Sequence, residues 1–355
     1  MPTHHHFFAV ILAGGSGTRF WPESRRHRPK QFLSIIGSKS LYEQTLERMA
    51  AKIPAANIIV VTNIRYKTLV QKESRPFGIP AQNILYETSG KNTAPAIGWA
   101  TARIYRKDRD AITAVLPSDH WIARPKVFWE KIDEAVKLAA TDRLVTLGIV
   151  PSRPETGFGY LKIERCKQKG RGIFRRVVQF IEKPPLAKAR QYVKRKDYFW
   201  NSGMFVWKAA VIREELKNYL PEVFSLFLKN DSQGWANRIW NQLPSISIDY
   251  GVLEKSLHVA CVPAGEIGWS DVGSWEALHH LLPKDKNRNV FSPRNVVIDC
   301  QGTLIKGNGR LIAAVGLSGV AIVDTDDALL VCKIDQSQKL RDVMTALKGK
   351  KRKEI

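Results

Sequence analysis

The sequence predicts an α/β protein with a doubly wound parallel sheet, followed by a small all-β domain. Three observations support this prediction. Short apolar runs rich in Val and Ile alternate with amphipathic segments over the first 150 residues, a rhythm typical of βαβ units with helices on both sheet faces. A glycine-rich loop interrupts the first of these runs. Beyond residue 287, brief apolar runs separated by Gly and Asp are typical of a small β domain.

The individual elements follow from apolar runs and helix-start signals. Ser40 with Glu43 three residues later has the spacing of a capping box, which predicts a helix from this point. A helix follows Asn92, and another spans residues 126–140. Further strands are expected at 157–164, 175–182 and 202–207, with a helix at 186–195. The strands predicted for the first part are 7–13, 58–62, 84–87, 112–116 and 144–150.

The change of pattern near residue 287 predicts the domain boundaries. We expect a catalytic domain over residues 1–286 and a β domain over residues 287–347. The last eight residues, 348–355, form a basic tail. A chain of 355 residues is long enough for two such domains.

The composition excludes several classes of protein. Apolar residues make up 44% of the chain, but no run reaches the roughly 18 residues that a membrane helix needs. The first residues lack the basic start of a signal peptide, and the four cysteines show no paired spacing. A cytoplasmic protein that binds no membrane is therefore expected, and no transition-metal site is predicted. The net charge of +23 would attract nucleotides, but no motif predicts specific nucleic-acid binding.

The loop that follows the first strand has the composition of a phosphate-binding loop. Gly14, Gly15 and Gly17 can bring backbone N–H groups close to phosphate oxygens, and Arg19 and Lys30 can neutralise their charge. A Walker A loop would need Lys followed by Ser or Thr, and a Rossmann fingerprint would need a third glycine where Phe20 stands. Neither pattern fits, although a plain tight turn would also contain glycines.

The loop and five later blocks together resemble the signature of the sugar nucleotidyltransferase family. Phe20-Trp21-Pro22 and Pro29-Lys30-Gln31-Phe32 are similar to those members that join mannose 1-phosphate to GTP. All the blocks stand in the family's order and extend to about residue 331. The later blocks are residues 87–96 (ETSGKNTAPA), 116–120 (LPSDH), 180–184 (FIEKP), 201–205 (NSGMF) and 269–275 (WSDVGSW).

The resemblance implies a fold and a reaction. The fold would be the Rossmann-like, doubly wound mixed sheet of the nucleotide-diphospho-sugar transferases with a C-terminal domain like a left-handed β-helix. The reaction would transfer GMP from GTP to mannose 1-phosphate, with Mg²⁺ as cofactor and a homo-oligomer, a dimer, as the assembly. Isomerase activity, which some members carry in a further domain, is not expected. Another sugar phosphate or nucleotide, a noncatalytic GDP-mannose-binding relative, and a basic nucleic-acid-binding protein remain alternatives.

The resemblance also implies roles for charged residues. Asp119, which follows the strand at 112–116, and Asp271 would together bind the metal. Asp119 could instead be a turn or helix-cap residue, and Asp271 could instead be the N-cap of the helix that contains Trp275. Arg19, Lys30 and Lys183 would be the catalytic cations. Lys183 would bind the phosphate of the sugar, although it could be one half of an ordinary exposed Glu-Lys pair.

The remaining site residues would surround the two substrates. Glu182, Asn201 and Gly159 are expected to contact the sugar phosphate beside Lys183. Of the residues expected to bind the nucleotide, Thr93 could instead be only a cap of its helix. The residues expected to bind the nucleotide are Leu12, Ala13, Gly14, Gly15, Gly17, Thr18, Glu87, Asn92, Thr93, Pro117 and Ser118.

Overall fold

The computed structural model describes residues 6–15, 17–168, 172–228 and 233–350. The chain divides into two compact units, and neither is continuous in sequence. The first unit contains residues 1–14, 45–118 and 122–269. The second contains residues 15–44, 119–121 and 270–355.

The first unit is built on a nine-stranded mixed sheet. The strands are β1 (Phe7–Leu12), β2 (Ile58–Asn63), β3 (Ile84–Glu87), β4 (Ile112–Pro117), β6 (Leu144–Ile149), β7 (Tyr160–Gln168), β8 (Gly172–Ile181), β9 (Tyr198–Lys208) and β10 (Val259–Pro263), with the short β5 (Trp121–Ile122) and β11 (Trp269–Ser270) outside this sheet. Their order across the sheet is β3-β2-β1-β4-β9-β6-β10-β8-β7. β1, β2, β3 and β4 are mutually parallel, whereas β9 runs antiparallel to both β4 and β6.

Helices connect these strands, and their apolar faces supply the core. The helices through this part of the chain are α1 (Leu41–Ala50), α2 (Lys67–Ser74), α3 (Thr93–Lys107), α4 (Pro125–Ala139), α5 (Leu186–Val193), α6 (Ala209–Tyr219), α7 (Pro221–Phe224) and α8 (Gln233–Ile239). α3 contributes an almost continuous buried surface because small residues, chiefly alanines, let it approach the sheet closely. Trp99 and Trp207 are among the largest buried side chains of the core.

The second unit combines the loop after β1 with the C-terminal strands. Its elements are α9 (Trp275–Leu281), β12 (Val296–Ile298), β13 (Leu304–Lys306), β14 (Ala313–Val315), β15 (Val320–Asp324), β16 (Leu329–Lys333) and α10 (Leu340–Gly349). Two small parallel pairings, β12 with β14 and β13 with β15, form its β-helix-like part. Its core includes Phe20, Trp21, Trp275, Leu304 and Val323, so residues far apart in sequence form one apolar cluster.

The predicted fold class is confirmed. The capping box is formed as expected: Ser40 N–H donates to Glu43 Oε2 (2.8 Å), and Glu43 N–H donates to Ser40 Oγ (3.0 Å). The long strand β9 begins four residues earlier than the predicted 202–207, because its first residues pair with β7. The domain boundary predicted between residues 286 and 287 divides the chain into two continuous segments, and it stays a prediction.

No helix in the described residues is both long enough and apolar enough to cross a membrane. Cys261, Cys300 and Cys332 are present as free thiols. Burial raises the pKa of the Cys261 thiol to about 12, so this thiol is unreactive at neutral pH.

Candidate functional site

In the first unit, the carboxyl ends of parallel strands bring together several residues predicted to bind the nucleotide. Leu12 lies opposite Pro117 in the β1–β4 register, and Ser118 N–H donates to the Leu12 carbonyl (3.0 Å). Ala13 N–H donates to the Val61 carbonyl (2.8 Å). Ligands of doubly wound sheets bind at such strand ends, which is where these backbone groups lie.

Glu87 lies at the same edge of the sheet, at the end of β3. It is 5% exposed, and a Cβ atom at Gly14 would lie 2.8 Å from its Oε2. Burial raises the pKa of this carboxyl to about 7, because a low-dielectric environment disfavours the charged form. A side chain larger than that of glycine at position 14 would displace Glu87.

Replacing Glu87 by glutamine is expected to stabilise the protein at alkaline pH. Because burial raises the folded-state pKa from 4.5 to about 7, the carboxyl's stabilising contribution is complete below pH 4.5 and is lost as the pH rises through 7. Glu87→Gln should therefore raise the free energy of unfolding at pH 8 by up to about 3 kcal/mol. This gain should shrink as the pH is lowered toward 4.5.

Denaturant unfolding at pH 5 and pH 8 measures this difference. Glu130→Gln, at an exposed position of α4, is the matched control and should change the free energy of unfolding by less than about 0.5 kcal/mol. Equal stability of Glu87→Gln and the parent chain at pH 8 would contradict the prediction.

In the second unit, the glycine loop folds back on the segment that contains Lys30. Gly17 has a φ of 54°, and a Cβ atom there would collide with the backbone nitrogen of Lys30, so only glycine fits this position. Gln31 Nε2 donates to the Gly15 carbonyl (2.9 Å). Through these contacts the glycine loop and the segment Pro29-Lys30-Gln31-Phe32 pack directly against each other. The side chain of Thr18 lies outside the described part of the structure.

Lys30 contacts both residues predicted to bind the metal, one through its carboxylate and the other through its backbone carbonyl. Its Nζ lies 2.7 Å from Asp119 Oδ2 and donates to the backbone carbonyl of Asp271 (2.6 Å). Lys30 is 5% exposed, whereas the Asp119 side chain is 34% exposed, so the ammonium is buried and the carboxylate remains accessible from one side. Burial alone would raise the pKa of the Asp119 carboxyl, but Lys30, His120 and Arg19 together lower it. Asp119 is therefore ionised at neutral pH.

The segment around Asp271 is strained and tightly packed. Val272 is buried with a φ of 43°, a conformation that β-branched residues rarely adopt. A Cβ atom at Gly273 would collide with the Asp271 carboxylate and lie 3.4 Å from Arg19 Nη1. The guanidinium of Arg19 and the carboxyl of Asp271 therefore both lie against Gly273. Such strain is found most often at functional sites.

Asp271 is not the cap of the helix that follows it. Ser274 is the N-cap of α9, and its Oγ accepts a hydrogen bond from Ala277 N–H (3.2 Å). The interpretation of Asp271 as a helix-cap residue is therefore wrong, and its proposed role as a metal ligand stays a prediction.

The donor set of the second unit suits a hard divalent cation. Asp119 and Asp271 supply carboxylate oxygens, which Mg²⁺ prefers, and Mg²⁺ commonly uses only one or two carboxylates together with water and substrate phosphates. Within the ranges that the structure describes, no group of three or more His, Cys, Asp or Glu residues could hold a metal ion. The chemistry therefore fits a metal that arrives with a phosphate ligand.

The residues predicted to bind the sugar phosphate also lie together in the first unit. Asn201 N–H donates to the Gly159 carbonyl (2.8 Å), and a Cβ atom at Gly159 would collide with Glu182 Oε2. Lys183 Nζ lies 3.1 Å from Glu182 Oε1. Lys183 has a φ of 48°, and its N–H donates to the Phe158 carbonyl (3.2 Å). The backbone therefore fixes where the lysine side chain begins.

Asn92 and Thr93 both make structural contacts, the first within its own helix start and the second with a distant segment. Asn92, with a φ of 66°, is the N-cap of α3, and its Oδ1 accepts from Thr93 N–H (2.9 Å). Thr93 Oγ1 accepts from Ile248 N–H (2.9 Å). The Thr93 hydroxyl thus anchors the segment that leads to Asp249. Their contribution to nucleotide binding stays a prediction.

Sequence reasoning missed Asp249, which contacts a predicted sugar residue. Asn201 Nδ2 donates to Asp249 Oδ1 (2.9 Å). Asp249 lies in the sequence SIDYGVLEK, which has no strong periodicity and no neighbouring motif. Nothing in this stretch of sequence distinguishes Asp249 from other acidic residues. Only its contact in the three-dimensional structure identifies it as a candidate site residue.

The fold and the two clusters define a class of enzyme that transfers a nucleotidyl group. The chain belongs to the nucleotidyl transferase family, whose model matches residues 8–288. The mannoseP isomerase/GMP-like beta-helix domain matches residues 293–347. The predicted family is therefore confirmed.

Individual relatives are similar over nearly the whole chain. Mannose-1-phosphate guanylyltransferase of Salmonella muenchen is 38% identical over an alignment of 360 positions, gaps included, that covers 97% of this chain and 74% of the relative. The alginate biosynthesis protein AlgA of Pseudomonas aeruginosa is 36% identical, covering 97% of this chain and 73% of the relative. The crystal structure of mannose-1-phosphate geranyltransferase from Thermus thermophilus superposes with a TM-score of 0.86 at 31% identity, covering 97% of this chain and 99% of that one.

Proposed function

We propose that this enzyme transfers GMP from GTP to α-D-mannose 1-phosphate, giving GDP-mannose and pyrophosphate. The observation that carries the proposal is the contact of one buried ammonium, Lys30 Nζ, with both the Asp119 carboxylate and the Asp271 carbonyl. The similarity to mannose-1-phosphate guanylyltransferase of Salmonella muenchen supports the choice of substrates.

The proposed reaction needs charge neutralisation more than general-base catalysis. The phosphate of a sugar 1-phosphate is already ionised near neutral pH and can attack the α-phosphorus of GTP directly. Catalysis then depends on bringing two anions together and on neutralising the charge that develops on the leaving pyrophosphate. We assign the cations of the second unit, Arg19 and Lys30, to the triphosphate, together with the backbone of Gly15, Gly17 and Thr18.

Mg²⁺ is the metal that we propose for Asp119 and Asp271. A bound divalent cation would polarise phosphate oxygens and offset the charge of the leaving group. Lys30 would keep Asp119 ionised and hold it near Asp271, so that both acids are available to the metal.

We assign the sugar phosphate to residues of the first unit. Lys183 would pair with the phosphate, because its ammonium is exposed and its backbone position is defined. Glu182 and Asn201 would hydrogen-bond hydroxyls of the mannose, and Gly159 would leave room for the ring. The strand-end residues Leu12, Ala13, Gly14, Glu87, Asn92, Thr93, Pro117 and Ser118 would bind the nucleoside of GTP.

Pyrophosphate release across a matrix of nucleoside triphosphates and hexose 1-phosphates, with and without Mg²⁺, tests the proposal. We expect turnover with GTP and mannose 1-phosphate to exceed that of other pairs at least tenfold and to need the metal. Activity that does not depend on a divalent ion would remove Asp119 and Asp271 from their proposed roles. Higher turnover with another pair would identify a different specificity, and binding of GDP-mannose without turnover would identify a noncatalytic relative.

We also propose that the enzyme acts in the cytoplasm as a homodimer. Nucleoside triphosphates, its proposed substrates, are cytoplasmic metabolites. An exposed apolar surface on the second unit supports the dimer: Val296 and Ile298 of β12 and Val315 of β14 are 44%, 50% and 62% exposed, and β12 and β14 are paired side by side. Sheet faces of this kind commonly mark interaction sites, and the molecular mass in solution decides the assembly.

A further inference from the structure

Asp249 begins a short π-helical turn, Asp249–Leu253, in the first unit. Turns of this kind are rare and frequently lie at functional sites. Gly251 within the turn packs against Leu220, where a Cβ atom would come within 2.6 Å of Cδ1. Close packing therefore holds the turn in place and determines where the Asp249 carboxyl lies.

The Asn201 amide has a defined orientation because three groups contact it. Its Oδ1 accepts from Thr146 Oγ1 (3.0 Å) and from Gly203 N–H (3.3 Å). Its Nδ2 donates to Asp249 Oδ1 (2.9 Å). A carbonyl oxygen has two lone pairs and an amide nitrogen has two hydrogens. The carbonyl is thus fully used, and one N–H remains for a ligand.

The surroundings of Asp249 disfavour the charged form of its carboxyl. Burial, together with the nearby Glu182 carboxylate, raises its pKa to about 6, and Glu254 contributes in the same direction. The charge of Lys255 acts on Glu254, where it opposes the rise in the pKa of that carboxyl. The backbone N–H of Asp249 also hydrogen-bonds its own carboxyl. Among the described residues, the Asn201 amide is the one side chain that donates to this carboxyl. Asp249 is half-buried, and the described residues form no ion pair with it, so a hydrogen-bond donor from a ligand would offset the cost of its charge.

The neighbours of Asp249 are the residues assigned to the sugar. Asn201 joins it to Gly159 through the Asn201 N–H to Gly159 carbonyl hydrogen bond, and Gly159 lies against Glu182. This cluster offers two carboxylates that accept hydrogen bonds and one amide N–H that donates. Sugar hydroxyls both donate and accept, so the set complements two or three neighbouring hydroxyls of a hexose.

We propose that Asp249 is a second carboxylate of the hexose subsite: Oδ1 holds the Asn201 amide, and Oδ2 accepts a hydrogen bond from a sugar hydroxyl. This inference rests on the proposed function, in which Glu182 and Asn201 bind the sugar. Asp249 thus contributes to the affinity for the hexose and not to the affinity for the nucleotide.

Calorimetric binding of GDP-mannose and of GDP to the full chain tests this inference, because the two ligands differ by the hexose. Asp249→Asn keeps the shape of the side chain but places an amide nitrogen or a neutral oxygen against Asn201. We expect the Kd for GDP-mannose to rise about 10- to 100-fold, as for other hydrogen bonds to charged groups, while the Kd for GDP changes less than threefold. Glu254→Gln removes a nearby negative charge without touching Asn201 and should leave both constants within threefold.

Deoxy analogues of the hexose and a second variant complete the test. Removing the hydroxyl that pairs with Asp249 should make the parent chain and Asp249→Asn bind the GDP-linked analogue equally. If Asp249→Asn does not fold, Asp249→Ser is used in the same way. Equal losses for GDP and GDP-mannose, or no loss at all, would overturn the inference even if the enzyme turns over mannose 1-phosphate. A selective loss of GDP-mannose affinity in a chain without turnover would support the inference while the proposed function fails.

Discussion

Replacing Lys30 by methionine is expected to lower kcat/KM by about 10²- to 10³-fold, the usual effect of removing one preorganised group that stabilises developing charge. Methionine retains an unbranched apolar stem, one atom shorter than lysine, but not the ammonium. Asp119 would lose its ion-pair partner, and the Asp271 carbonyl would lose its donor. The triphosphate would also lose a cation. Steady-state kinetics with GTP, mannose 1-phosphate and Mg²⁺ measures the change.

Lys286→Met is the matched control for Lys30→Met. Lys286 is an exposed lysine of the same unit, so its removal subtracts the same charge without altering the cluster, and kcat/KM should stay within twofold. Thermal unfolding separates a catalytic loss from a folding defect. Turnover of Lys30→Met near that of the parent chain would show that the ion pair of Lys30 with Asp119 serves only stability.

Replacing Lys183 by alanine is expected to raise the KM for the sugar phosphate about 100-fold, while affinity for the triphosphate changes less than threefold. A charge-assisted hydrogen bond to phosphate contributes about 1.5–3 kcal/mol. The lysine side chain is 61% exposed beside Glu182, and exposed ion pairs contribute little to stability. The loss should therefore fall on substrate use rather than on folding.

Two further variants separate the ammonium of Lys183 from its unusual backbone. At a φ of 48°, a residue with a Cβ atom, whether lysine or alanine, carries about 1 kcal/mol of strain, whereas glycine does not. Lys183→Gly should therefore show the same change in KM as Lys183→Ala if the charge is responsible. Lys188→Ala, on an exposed position of α5, controls for the lost charge. Equal losses for the two substrates would show that the assignment of Lys183 to the sugar phosphate is wrong.

The pattern of the chain predicted the parts of the fold that local chemistry controls. Apolar runs such as those of β1 and β4, the capping box of Ser40 and Glu43, and the glycine loop each depend on neighbours in sequence. The antiparallel insertion of β9 between β4 and β6 could not be derived in this way. Strand order depends on crossovers that bring distant segments together, and periodicity carries no information about those partners.

The features of the candidate site can be divided in the same way, into residues that the sequence selects and contacts that only the tertiary structure shows. The sequence by itself predicted a phosphate-binding loop after the first strand, and its resemblance to a known family selected Lys30, Asp119, Asp271, Lys183 and Asn201 as site residues. Only the tertiary structure decided that one ammonium joins Asp119 to Asp271, that Ser274 and not Asp271 caps α9, and that Asp249 contacts Asn201. The physical reason is that hydrogen bonds and ion pairs between residues tens to hundreds of positions apart exist only after the backbone has brought their donors and acceptors within about 3 Å.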